Sequence, residues 1–237
     1  MSVAPTTVAF TIDLEPDCPP FLRGYRGIEH GLPALLDVLR QLNVPATFFT
    51  TGEVADRFPR AVEEVVEQGH ELACHGMSHT AFTSLDRDAA RDEITRSTAI
   101  LREFSTVTSF RAPYLQFPDA YLDLLEASGF ELDSSQALYK AAYYRSRARS
   151  RGIRRVPASV TSSVLRLPNV VRRAYLGALS SPVVLFVHPW EFVDLRREQL
   201  RLDCRFKTGD IALGCVRDVL ESYAKRGARF VRMRELV

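Results

Sequence analysis

Five short stretches place reactive side chains close together in this 237-residue sequence. TIDLEPD, residues 11–17, ends an apolar run in three carboxylates: Asp13, Glu15 and Asp17. HGMSH, residues 75–79, holds His75 and His79 four apart. RAPY (111–114), LDSS (132–135) and FVHP (186–189) carry Arg111, Asp133 and His188, and Trp190, the only tryptophan, follows the last. Two imidazoles at that spacing can reach one cation from a helical turn or a compact loop. A carboxylate from the first stretch would be a third ligand. Two histidines and one carboxylate, with a position left open, are the pattern of a catalytic rather than a structural metal site. Alone, an H-x-x-x-H spacing is a weak signal and more often marks an ordinary polar loop.

These residues need a scaffold that brings distant segments together, and the hydrophobic pattern supplies one. Seven β-rich runs begin near residues 7, 46, 71, 108, 130, 183 and 228. Amphipathic stretches separate most of them: GLPALLDVLRQL puts Leu32, Leu35, Leu36 and Leu39 on one face, and RFPRAVEEVVEQG, PDAYLDLLEASG and GDIALGCVRDVLESYAKRG each end at a glycine suited to close a helix. Asp86 is the expected N-cap of the helix through 87–104. Strands alternating with helices imply a parallel sheet, as a barrel or a doubly wound layer. In both, functional groups gather at the carboxyl ends of strands. Asp13, Glu15, His75, His79, Arg111, Tyr114, Asp133 and His188 all fall there.

Taken together and in order, TIDLE, HGMSH, RAPY, LDSS and FVHP resemble the polysaccharide deacetylase family, the NodB-homology carbohydrate esterases. The resemblance runs from Val8 to about Met233 and implies an α/β fold, a distorted (β/α) barrel of about seven parallel strands. It departs from the usual pattern in two places. Gly76 stands where Ser or Thr is common, and Leu14 stands where most relatives carry a metal-binding acid. Residues two apart on a strand face the same way, so Asp13 and Glu15 can share one pocket while Leu14 packs behind them.

The roles that follow are those the resemblance implies. Glu15, His75 and His79 hold a divalent metal, zinc first, with cobalt, nickel, manganese or iron also suited to these ligands. Asp13 is the general base and His188 the general acid. Tyr114 lends its backbone N–H to the oxyanion. Arg111 orients Asp13 through a two-point fork, and Asp133 keeps His188 protonated. Trp190 stacks on a sugar, walls the acyl pocket or packs in the core. Asp17, after Pro16, suits loop or capping chemistry. The implied reaction removes an N-acyl group from an amino sugar. Other relatives on this fold open small cyclic amides or deformylate amino sugars, and the altered first motif leaves an inactive glycan-binding relative as a further reading.

Composition bounds the rest. A chain 46% hydrophobic and 25% charged is an ordinary globular protein, expected as a single domain over 1–237. Cys18, Cys74, Cys204 and Cys215 form no C-x-x-C pair, which suggests free thiols. No secretory-leader pattern and no apolar run of about 18 residues is present, so the expected location is cytoplasmic. The net charge is +2, but unevenly spread. Between Ser134 and Trp190 there are ten basic residues and no Asp or Glu, which leaves 21 basic against 29 acidic residues elsewhere. We read residues 137–180 as a basic insertion. It either meets an anionic substrate, such as a phosphorylated or lipid-linked sugar, or an anionic membrane face, or it is a solvated excursion that pairs with the acidic remainder. No nucleic-acid-binding pattern is present.

Overall fold

The protein is described by a computed structural model, in which residues 5–146 and 152–237 are described. Eight strands form one parallel sheet: β1 (Thr7–Leu14), β2 (Thr47–Thr50), β3 (Glu71–Cys74), β4 (Ser109–Phe110), β5 (Leu132–Asp133), β6 (Arg154–Arg155), β7 (Val183–Val187) and β8 (Arg229–Val231). Their order is β6-β5-β4-β3-β2-β1-β7, with β8 paired to the first half of β1. The helices are α1 (Leu32–Leu42), α2 (Gly52–Arg57), α3 (Pro59–Glu67), α4 (Arg87–Leu101), α5 (Leu122–Ala127), α6 (Ala141–Arg145), α7 (Asn169–Gly177), α8 (Leu202–Arg205) and α9 (Asp210–Lys225). The helix expected over 57–69 starts later and is preceded by a separate one, the two meeting at Phe58–Pro59. Asp86 caps α4 through Ala89 N–H, as its position suggested. No helix among the described residues is long and apolar enough to cross a membrane.

β1 is central, which explains why VAFTIDL reads as an unbroken apolar run: a parallel strand covered on both faces has no solvent side. Val8, Phe10, Ile12 and Leu14 point outward into a core shared with Leu35, Leu36 and Leu39 of α1 and Val216 and Leu220 of α9. Ala9 points the other way and packs with Phe49, Ala73, Leu132, Val184 and Met233. Thr11 and Asp13 share that inner side, where the Arg111 guanidinium meets both.

The register levels the strand ends. Leu14 pairs with Thr50, Thr50 with Cys74, Cys74 with Phe110, Phe110 with Asp133 and Asp133 with Arg155. Residues just beyond each strand therefore collect at one rim, where parallel α/β folds keep their functional groups.

The basic segment differs from the insertion read in the sequence. Arg154–Arg155 forms β6, an eighth strand, and Ala158 bridges Ala137. Ser159 N–H then donates to Val184 O at 2.8 Å, and its hydroxyl accepts from Val184 N–H at 2.9 Å, so this segment ties the two edges of the curled sheet together. Three of its arginines turn inward. Arg155 pairs with Asp119 and Asp133, Arg166 with Glu191, and Arg172 with Asp218 and the Leu165 carbonyl. A two-residue strand of arginines carries no hydrophobic signature, which is why it was not legible. Arg147, Arg149 and Arg151 lie outside the described residues.

Candidate metal and acid-base centre

A cavity of about 410 Å³ opens at the rim, and Asp13, Glu15, His75, His79, Tyr114, His188 and Trp190 all line it. Arg111 lies beneath, fully buried, and Asp133 lies aside from the cavity.

Glu15, His75 and His79 converge. Glu15 Oε2 is 2.6 Å from His79 Nε2 and 3.4 Å from His75 Nε2. One ligand atom from each lies within 4.8 Å of the others, the one such group among the described residues. The His75 ring is fixed from behind: Nδ1 donates to the Arg111 carbonyl at 2.7 Å, so Nε2 faces the cavity with its lone pair. That Nε2 is buried without a hydrogen-bond partner. A lone pair aimed at a carboxylate oxygen is satisfied by a cation between them, so the donor set fits a divalent metal.

The histidine loop is shaped locally. Gly76 adopts φ +78°, a conformation glycine takes without cost, and a Cβ there would meet the Phe82 ring at 3.3 Å. His79 is itself left-handed, at φ +56°. The loop is pinned by Glu93 of α4, which accepts from Met77 N–H (2.8 Å), Ser78 N–H (3.0 Å) and Ser78 Oγ (2.6 Å). Nothing in the sequence near HGMSH announced Glu93.

Glu15 has a second tie that the sequence did not reveal. Trp190 Nε1–H donates to its Oε1 at 3.0 Å across 175 positions of chain. Burial pushes the Glu15 carboxyl up, but His79, His188 and His75 together hold it well below the usual carboxylate range. Trp190 thus serves as wall and as anchor: it packs with Cys18, Leu195 and Leu200, and its ring stacks on His188 at 4.6 Å and 21°. Asp17 is occupied elsewhere, accepting from the N–H groups of Arg26 (2.9 Å) and Gly27 (2.8 Å). Leu14 is fully buried in the outer core.

Arg111 meets Asp13, but not through the expected fork. Nη1 alone reaches Asp13 Oδ1, at 2.6 Å, and also donates to Thr11 Oγ1 at 2.8 Å. Nη2 donates to Ser134 Oγ at 3.0 Å, and the guanidinium lies 4.1 Å from the Phe49 ring centroid. A fully buried guanidinium must spread its donors over every available acceptor, and this leaves Asp13 Oδ2 turned to the cavity, 3.9 Å from His188 Nε2.

The pairing expected between Asp133 and His188 is corrected. Asp133 accepts from Arg155 Nε at 2.9 Å and from Ser135 N–H at 2.8 Å. The acid on His188 is Glu191, whose Oε1 is 2.8 Å from Nδ1 and accepts from the His188 N–H at 3.0 Å. Glu191 in turn meets Arg166 Nη2 at 3.1 Å, fully buried. Burial works against a charged imidazole, but Glu15, Glu191 and Asp13 outweigh it and push His188 up to about 9. The one signal was spacing: a glutamate three residues after a residue that opens a helical turn closes a capping box, and 189–192 is such a turn.

Tyr114 sits at the rim, 38% exposed, in an edge-on arrangement with the His79 ring at 4.8 Å between ring centroids. It and Leu115 are both left-handed, at φ +59° and +51°, and the Tyr114 carbonyl accepts from Lys140 Nζ at 2.5 Å. Strained backbone of this kind collects where geometry serves a site.

The fold and this centre define a deacetylase-type α/β barrel. The sequence profile of the family described as polysaccharide deacetylase matches residues 2–132, and the chain belongs to that family. Over 115 residues it is 29% identical to a peptidoglycan deacetylase of Helicobacter pylori, covering 48% of this chain and 39% of that protein. Over 85 residues it is 35% identical to a chitooligosaccharide deacetylase of Sinorhizobium fredii, covering 35% and 40%. The chain thus spans about two fifths of the length of these curated relatives. A crystal structure from Mycobacterium smegmatis, provisionally assigned as a polysaccharide deacetylase, superposes with a TM-score of 0.75 at 23% identity, covering 100% of this chain and 91% of the other.

Proposed function

We propose that this protein is a divalent-metal-dependent hydrolase that removes the N-acetyl group from an amino sugar in a glycan. The observation that carries the reading is the Glu15–His75–His79 donor set, with its unpartnered His75 Nε2, in one cavity with Asp13 and His188. A cation held by those three residues, zinc in our reading, would supply Lewis acidity to the amide carbonyl.

The remaining work falls to side chains of the chain itself. Asp13, held on Oδ1 by Arg111, presents Oδ2 to accept a proton from the attacking water. The tetrahedral oxyanion takes the backbone N–H of Tyr114. His188, kept protonated by Glu191, donates from Nε2 to the departing amine, which otherwise leaves poorly. Trp190 restrains both Glu15 and the His188 ring. The narrower reading, a phosphorylated or lipid-linked precursor in the cytoplasm, leans on the basic segment. Because Arg155, Arg166 and Arg172 are engaged internally, we keep the substrate class at N-acetylated amino-sugar glycans.

The test is acetate release from N-acetylchitooligosaccharides and from peptidoglycan fragments, before and after chelation and reloading with zinc. Zinc-dependent release is expected. Substoichiometric metal that does not rise on adding zinc, with no acetate from any substrate, would overturn the proposal in favour of a glycan-binding relative.

A further inference from the structure

The cavity wall contains two thiols that the proposed reaction does not use. Cys18 and Cys204 both line it, and both are free. Cys18 belongs to one small apolar cluster with Trp190, Leu195 and Leu200, Cys204 packs against that cluster, and the two thiols perturb each other, Cys18 upward and Cys204 downward. They arrive from opposite sides of the site. Cys18 is buried in the loop after β1, three residues beyond Glu15. Cys204 is half-buried on α8 and reachable from the cavity by a small solute. A buried thiol on its own is inert, but a partly exposed thiol packed in the same cluster as a second one has a resolving partner at hand. The other two cysteines lack such a partner: Cys74 contacts Ser97 at 3.2 Å, and Cys215 lies on α9.

We propose that Cys18 and Cys204 are a hydroperoxide-oxidisable dithiol that closes as a disulfide across the wall of the catalytic cavity. Cys204 is the more exposed of the two and opens on the cavity, which makes it the attacking sulfur, and its neighbour Cys18 holds its thiol below the ordinary range. Cys204 sulfur attacks one peroxide oxygen, the O–O bond breaks, and a sulfenic acid and water result. Cys18 sulfur then attacks the sulfenic sulfur, the S–O bond breaks, and a second water leaves. Two thiols and one hydrogen peroxide become one disulfide and two waters; the sulfurs lose two electrons and the peroxide gains them.

The bridge would join two supports of the site. One end is the loop that carries Glu15. The other is α8 and its flank, whose carbonyls at Asp203, Cys204 and Phe206 accept from Arg166, the partner of Glu191. This dithiol chemistry goes beyond the deacetylase reading and stands without it.

The experiment treats reduced full-length protein with stoichiometric hydrogen peroxide. Thiols are counted before and after, and non-reduced tryptic peptides are mapped by mass. The expected result is a fall from four thiols to two, with the peptide ending at Arg23 joined to Leu202–Arg205, reversed by dithiothreitol. In Cys204→Ser no bridge forms and Cys18 remains reduced. Amide exchange across residues 16–22 should slow by at least about tenfold in the bridged form. Recovery of Cys18 and Cys204 as thiols, a bridge through Cys74 or Cys215, or unchanged exchange in the loop would each overturn the proposal.

Discussion

Replacing Glu191 with Gln separates the acid that the structure places on His188 from the one the sequence suggested. The carboxylates around His188 raise it from 6.5 to about 9 against the cost of burial. At 1.36 kcal/mol per unit, this is a preference for the imidazolium of about 3 kcal/mol. Glu191 supplies one charge-assisted hydrogen bond of that environment, at 2.8 Å to Nδ1, and such bonds are worth about 1.5–3 kcal/mol. Glu191→Gln should therefore lower the His188 titration by one to two units, roughly, while its amide oxygen can still accept from Arg166. The assay is an NMR titration of the histidine rings in metal-free protein, where no bound cation contributes, with circular dichroism to check the fold. Asp133→Asn is the control, since Asp133 is engaged by Arg155 and Ser135, and it should leave His188 unmoved. The reasoning fails if Asp133→Asn shifts His188 and Glu191→Gln does not. The sign for stability follows: a base raised in the folded state stabilises fully below pH 6.5, and that contribution is lost as pH rises through about 9. Loading the site with zinc puts positive charge beside Glu15 and should move His188 down, so the alkaline limb of turnover lies below the metal-free titration.

Three further outcomes are expected. Trp190→Phe keeps the ring but removes the Nε1–H donor to Glu15, so zinc affinity should fall about tenfold, read by competition with a chromogenic chelator; an unchanged affinity would show the hydrogen bond to be idle. Asp13→Asn should abolish acetate release yet keep zinc binding close to that of the parent, because Asp13 lies outside the three-ligand group. His70, lowered to about 4 by burial and by Arg232, contributes stability that is present above pH 6.5 and lost as pH falls through about 4, on the order of 2–3 kcal/mol. Urea unfolding of His70→Gln at several pH values should show a flatter acid limb; a slope equal to the parent's would remove His70 from the account.

Local periodicity decided a good deal of this protein before any folding. The alternation along TIDLE places Asp13 and Glu15 on one side and Leu14 on the other, because a strand repeats every two residues whatever surrounds it. Thus Leu14 is buried in the outer core and both acids line the cavity. The apolar runs and glycine stops marked seven of the eight strands for the same reason, and the parallel order placed HGMSH, RAPY and FVHP at one rim. Apart from the capping-box spacing of Glu191 after His188, partner choice was beyond the reach of sequence. Which carboxylate holds His188, which donor holds Glu15 and how Arg111 divides its guanidinium are set by contacts between residues as far as 175 positions apart. Glu191 and Asp133 are both acids near strand ends, and only the packing of Arg155 and Arg166 against them assigns each its partner. Burial explains this division. A polar group removed from water must find a partner within hydrogen-bond reach, and only the folded chain determines which groups lie within it.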